Sequence, residues 1–98
     1  MIVSMGYIIA SNLVAKDHQR VGYLYREAPC DDLDSGWRVF SGSENQEYAD
    51  NPSNFAMYNA ETIIKIDPYI RTVLDHPYPV AFELDRHEFV FKKLPSDH

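Results

Sequence analysis

One cysteine, Cys30, is all this chain contains. No intrachain disulfide can brace it, so the fold must rest on its own apolar core. A length of 98 residues suffices, because a chain of this size buries roughly 60–70% of its unfolded surface without help from a metal or a disulfide. It leaves no room for a second core, and residues 1–98 read as one domain. A lone thiol suits a reducing compartment. Flanked by Pro29 and the acids Asp31 and Asp32, Cys30 reads as a poor nucleophile, since the thiolate that a nucleophile needs is favoured beside cations.

The apolar pattern divides the chain into short strands and two short helices. The stretch 1–14 is moderately apolar, but Ser4, Ser11 and Asn12 interrupt it. It has no basic leader and is too short to cross a bilayer, so it reads as a first strand centred on Tyr7-Ile8-Ile9-Ala10 and not as a signal. Residues 16–20 form a polar turn. Residues 21–26 alternate, with Val21, Tyr23 and Tyr25 on one face and Leu24 and Arg26 on the other. Gly22 marks a close backbone approach or a bulge, and Pro29 ends the strand. An acidic loop, residues 30–35, leads to a third strand, Trp37-Arg38-Val39-Phe40. If the strands around that loop pair, they form an antiparallel hairpin and bring Arg26 or Glu27 close to Arg38.

Residues 41–54 are rich in turn formers (Gly42, Asn45, Asp50, Asn51-Pro52, Asn54) and read as a long loop, either functional or simply held down by Tyr48 and Phe55. Asn59 is a good N-cap for a helix over residues 60–66. Asp67-Pro68 restarts a second short helix that buries Ile70, Val73 and Leu74. Val80, Phe82 and Leu84 alternate as a half-buried strand. The turn Asp85-Arg86-His87 returns the chain through residues 88–92, with Phe89 and Phe91 on one face, and residues 93–98 form a polar tail. The sum is an α+β fold: a small antiparallel sheet of about five strands, with two short helices inserted before the C-terminal hairpin. The seven tyrosines read as core-edge residues with wet hydroxyls.

A net charge of −6 argues against nucleic acid, which needs a basic stripe, and against an anionic membrane surface. It permits a basic protein partner. The four histidines His18, His76, His87 and His98 lack metal-ligand spacing, so no metal and no cofactor is expected. His76, between Asp75 and Pro77, can serve carbonyls at a helix end. Carboxylates are plentiful, but nothing marks a catalytic pair, and residues 41–43 lack the lysine and helix of a phosphate loop. No catalytic residue is assigned. Arg26, Glu27 and Arg38 form the sharper group, read as a structural ion pair because partly buried charges must be matched. Trp37 with Asp31, Asp32, Asp34, Glu44, Glu47 and Asp50 are the candidates for contact with a partner, an aromatic anchor inside a charged rim.

The run Tyr25-Arg26-Glu27-Ala28-Pro29, then Ser35-Gly36-Trp37-Arg38-Val39-Phe40-Ser41-Gly42-Ser43-Glu44, Tyr48, Asp50-Asn51, Tyr58, Ile63 and Ile66-Asp67-Pro68 resembles the signature of the immunity-protein-33 family. The resemblance covers about residues 11–85. At Asp85-Arg86-His87-Glu88 the chain lacks the glycine that the family pattern leads one to expect, which touches hairpin register. The resemblance implies a bacterial cytoplasmic α+β domain that does no chemistry. It would bind and neutralise a cognate protein toxin, a basic nuclease-type effector being the expected kind. Some members of the family are encoded near polymorphic toxins. Two alternatives stand beside it: a solitary accessory domain that binds a small ligand or another protein, and a small hydrolase using Glu27, Arg38 or His76. The sequence leaves the oligomeric state open.

Overall fold

The structure, a computed structural model, describes residues 6–95. What the sequence suggested for residues 1–5 and for 96–98, His98 included, lies outside the described residues. Among the described residues six strands form one sheet: β1 (Tyr7–Ser11), β2 (Tyr23–Arg26), β3 (Asp34–Phe40), β4 (Phe55–Asn59), β5 (Val80–Asp85) and β6 (Val90–Lys93), in the order β4-β1-β3-β2-β5-β6. Three short α-helices, α1 (Asn12–Ala15), α2 (Gln46–Ala49) and α3 (Ala60–Ile66), and two 3-10 segments (Pro52–Asn54 and Pro68–Thr72) complete the fold. The α+β class is as the sequence indicated. The strand number is six against about five, the added strand being β4 within what read as loop and helix approach. Four pairings are antiparallel, and β1 runs parallel to β3. A parallel pair cannot close by a tight turn, and here α1 and the whole of β2 intervene in the chain.

Side-chain caps set the helix starts except at α1, where Ser11 makes no capping bond. The Asn59 carboxamide accepts from the Thr62 N–H at 2.9 Å and starts α3. Asp67 accepts from Tyr69 N–H at 3.2 Å, with Pro68 at the first helical position of the 3-10 segment. The other Asp67 oxygen accepts from the buried Val21 N–H at 2.9 Å. One buried carboxylate thus fixes both a helix start and the entry to β2. Asn45 and Asn51, which read as turn formers, cap α2 and the first 3-10 segment. Two further elements differ from expectation. The returning strand begins at Val90, because Phe89 lies in the turn with φ +56. The third strand begins at Asp34, ahead of Trp37.

The helices cover one face of the sheet. Ile8, Ala10, Leu24, Trp37, Val39 and Phe82 from the strands meet Val14, Ile63, Ile70, Val73 and Leu74. Trp37 is fully buried; its indole N–H donates to the Leu74 carbonyl at 3.1 Å, and its ring lies 6.4 Å from Phe82. Burying such a ring without satisfying its N–H would forfeit much of the gain. Where β3 passes Gly36, its register against β1 shifts. Gly36 has φ +89, and a Cβ there would strike the Glu27 carbonyl, so glycine is required on both grounds.

Candidate functional site

The second face of the sheet is only partly covered. Strand alternation sends Tyr23 and Tyr25 of β2 and Arg38 and Phe40 of β3 to this side, opposite Leu24, Trp37 and Val39 in the core. Ile9 of β1 is level with Arg38 and with Met57 of β4. The rings form a continuous cluster. Phe40 lies 5.6 Å from Tyr23, 6.0 Å from Tyr25 and 5.5 Å from Phe55, and Tyr48 of α2 meets Phe55 edge-on at 6.1 Å. Helix α2 arches over one end and leaves two shallow hollows on either side of Phe40. One, of about 330 Å³, is floored by Ile9, Tyr25, Arg38 and Phe55 under Gln46 and Asp50. The other, of about 390 Å³, lies between Tyr23, Glu44, Glu83 and Arg86. Burial, with the nearby Glu27 charge, pushes the Tyr25 hydroxyl above its ordinary range, so it stays a neutral donor.

A charged corner closes the face. Arg38 forks the Asp34 carboxylate with two bonds of 2.8 Å, and its Nε–H donates to Glu27 at 2.7 Å. Asp34 also accepts from the backbone N–H groups of Cys30 (2.9 Å) and Gly36 (2.8 Å). The Arg38 guanidinium, more than offsetting burial, holds the Asp34 carboxyl far below the usual carboxylate range. Asp34 in turn keeps Arg38 protonated. A two-bond guanidinium–carboxylate pair with the remaining acceptor sites filled is the arrangement in which burial of charge is tolerated.

The residues singled out in the sequence fall into different places. Asp34 and Trp37 are buried, so neither presents a surface to a partner. Asp34 read as a loop acid and is the inner half of the ion pair. Glu27 and Arg38 are in contact. Arg26 takes no part in that pair: its Nε–H donates to the Ser35 carbonyl at 2.9 Å and its Nη1–H to the His76 carbonyl at 2.8 Å, and the guanidinium stacks 5.8 Å from the Trp37 ring. Glu44 is half-buried and works as a clip. It accepts from the Ser11 hydroxyl and from the N–H groups of Ser41 and Gly42. Burial opposes its ionisation, but these donors outweigh it and bring Glu44 below its ordinary range. Asp31, Asp32, Glu47 and Asp50 remain exposed. Asp31 receives the Tyr7 hydroxyl at 3.2 Å. His76 sits at the end of the 3-10 segment, with Nδ1 3.0 Å from the Val73 carbonyl. Among the described residues no three His, Cys, Asp or Glu side chains gather where a metal ion could be held.

Compared with known families, residues 8–94 match the model of the Immunity protein Imm33 domain. The chain belongs to the Imm33 immunity protein family. No curated protein and no solved structure matches it. In this Imm33 domain the charge is unevenly spread. No lysine or arginine lies between residues 39 and 64, a stretch that holds Glu44, Glu47, Asp50 and Glu61. That stretch supplies the arch over the open face and strand β4 beside it, and Glu27 and Glu83 stand exposed on the same sheet. Carboxylates therefore predominate on the α2 and β4 side of the ring cluster, while Arg86 lines the hollow beside Tyr23 and Lys92 lies opposite Glu83. Sequence alternation put Tyr23 and Tyr25 on one face of their strand; that Phe40 shares it follows from the β2–β3 pairing. It did not mark Phe55, because β4 was not recognised as a strand, nor Ile9, because the run Tyr7-Ile8-Ile9-Ala10 is apolar on both faces. No helix among the described residues is long and apolar enough to cross a membrane.

Proposed function

We propose that this Imm33 domain acts by binding a protein toxin in a stoichiometric complex, without chemistry of its own, and that the open sheet face is the contact surface. Membership of the Imm33 family over residues 8–94 carries the reading. The face supports it in kind. Tyr23, Tyr25, Phe40 and Phe55 are large rings already held in place by each other, and aromatic side chains that lose little freedom on docking are the usual anchors of tight interfaces. Exposed Glu27, Glu47, Asp50 and Glu83 around them suit a basic toxin, which they would steer and orient. A single thiol and an acidic surface fit a bacterial cytoplasm, where a producing cell must meet its own toxin.

The test is titration of the toxin encoded beside the gene, with its activity and complex formation followed together. Inhibition should be complete at one equivalent, and the toxin should be released unaltered on denaturing the complex. Inhibition by a small fraction of an equivalent, or a covalently changed toxin, would mean an enzyme. Glu47→Lys combined with Asp50→Lys should slow association by about tenfold at low salt and much less at high salt. An unchanged association rate would place the contact elsewhere, with the exposed acids Asp31 and Asp32 as the next surface to reverse.

A further inference from the structure

We infer that the outer edge of β4 is the line on which the partner docks, by adding an extended basic segment as a seventh strand. This deepens the toxin-binding reading and rests on it for the identity of the natural partner.

Strand β4 ends the sheet, with β1 on its inner side only. The backbone fixes which of its groups are free. The Tyr7 N–H donates to the Leu33 carbonyl at 2.7 Å, and the Tyr7 carbonyl accepts from the Ser35 hydroxyl at 2.7 Å, so both groups of Tyr7 face β3. Alternation along the strand turns Ile8 and Ala10 toward β4, where they stand opposite Tyr58 and Ala56. Phe55, Met57 and Asn59 therefore turn outward. The Phe55 N–H is already donated to the Pro52 carbonyl, and the Asn59 carbonyl stands at the start of α3. Four groups remain without a partner among the described residues: the Phe55 carbonyl, both groups of Met57, and the Asn59 N–H. That is the hydrogen-bonding row a short extended peptide completes.

Sheet edges are ordinarily guarded by charge, proline or a bulge. The opposite edge is guarded in this way. Strand β6 carries Lys92 and Lys93, and the Lys92 ammonium is held by Asp85 at 2.9 Å and Glu88 at 2.8 Å. Strand β4 has none of these devices. Its sequence Phe-Ala-Met-Tyr-Asn is uncharged and free of proline, it pairs with β1 over five residues without a register shift, and Met57 is 65% exposed.

The flanks decide what kind of strand fits. Before β4 stands α2, whose Tyr48 rests on Phe55, with exposed Glu47 and Asp50; after it comes Glu61 in the first turn of α3. With no cation between residues 39 and 64, a second copy would set carboxylate against carboxylate across the joint. A segment bearing lysine or arginine at the alternate positions that face the open side would pair with Glu47 and Asp50 of α2. Its other side chains would turn to the helix-covered side, beside Ala56 and Tyr58.

Purified protein is used to select a displayed library of random segments of about twelve residues, long enough to cover the edge. The enriched segments should alternate apolar and basic residues. In the complex, hydrogen exchange of the Met57 amide should slow by about tenfold or more relative to the free chain. Met57→Pro, which removes that N–H on an edge where proline is tolerated, should lose binding, while Met57→Ala, which keeps it, should retain it. The exchange measurement uses the unaltered chain and stands even if Met57→Pro folds poorly. Enrichment of acidic or uncharged segments, binding that leaves the Met57 amide exchanging freely, no enrichment at all, or a dimer that forms through Met57 would each overturn the inference. The selection needs no toxin. If the chain inhibits its toxin and a folded Met57→Pro variant inhibits equally well, the edge is not the docking line and the immunity reading stands.

Discussion

Replacing Asp34 by asparagine removes one negative charge from a point where four donors converge: two from Arg38 and one each from the Cys30 and Gly36 backbones. The amide keeps one acceptor oxygen and turns its NH2 group toward donors. Arg38, only 7% exposed, is left with Glu27 as its carboxylate partner at 2.7 Å. Breaking a buried pair by removing one member costs about 3–5 kcal/mol. The surviving Glu27 contact puts this case near the lower end, about 3 kcal/mol, which is a large part of the 5–15 kcal/mol that a domain of this kind typically has in total. At a urea slope of about 1.5 kcal/mol/M, the midpoint should fall by about 2 M. Trp37, fully buried, reports unfolding by its fluorescence. The companion variant Asp34→Leu/Arg38→Met removes both charges but leaves the buried Gly36 N–H without an acceptor, at about 1–3 kcal/mol, and the part-buried Cys30 N–H as well. It should therefore recover only part of the loss. A midpoint for Asp34→Asn within about 0.5 M of the parent would refute the account, since the corner would then be contributing nothing beyond a surface pair.

Three further outcomes follow from other contacts. Asp34 and Glu44 both ionise below the ordinary carboxylate range in the folded chain, so their stabilisation is complete above about pH 4 and drains as the pH falls below it, where the unfolded chain takes up protons first. Urea midpoints should be flat from neutral pH down to about pH 5 and then decline, with a shallower acid limb in Glu44→Gln. Glu44→Ala should speed hydrogen exchange at Ser41 and Gly42, whose N–H groups it accepts, and leave Leu24 and Val39 in the central strands unchanged; equal acceleration at both places would show that Glu44 is no local clip. Trp37→Phe loses the bond to the Leu74 carbonyl and leaves a cavity, and should cost about 2–3 kcal/mol by circular dichroism.

Much of the architecture was legible because it is local. The alternation of Tyr23, Leu24 and Tyr25 against Arg38, Val39 and Phe40 gives the β2–β3 hairpin and its two faces, and Asn59 and Asp67-Pro68 give the starts of α3 and the 3-10 segment. Strand β4 was hidden because Phe-Ala-Met-Tyr-Asn has no strong alternation and follows a run of turn formers; its strand character comes from five pairs with β1, distant in the chain. The parallel β1–β3 pairing left no local mark for the same reason. Alternation put Trp37 and Val39 on one face without saying that helices cover that face, so a buried tryptophan read as an anchor. Asp34 read as a solvated acid because its partner Arg38 lies four residues on along the same strand, beyond a bulge that no propensity announces.

The position of β1 has a bearing on how the protein is made. It precedes the other five described strands in the chain, yet it lies between β3 and β4, with Tyr7 level with Asp34 on one side and Asn59 on the other. While a ribosome is still producing the rest of the chain, Tyr-Ile-Ile-Ala-Ser must wait, uncharged and with both flanks open, and such waiting segments are where nascent proteins go astray. Its second flank closes only once β4 has been made and has folded back beside it.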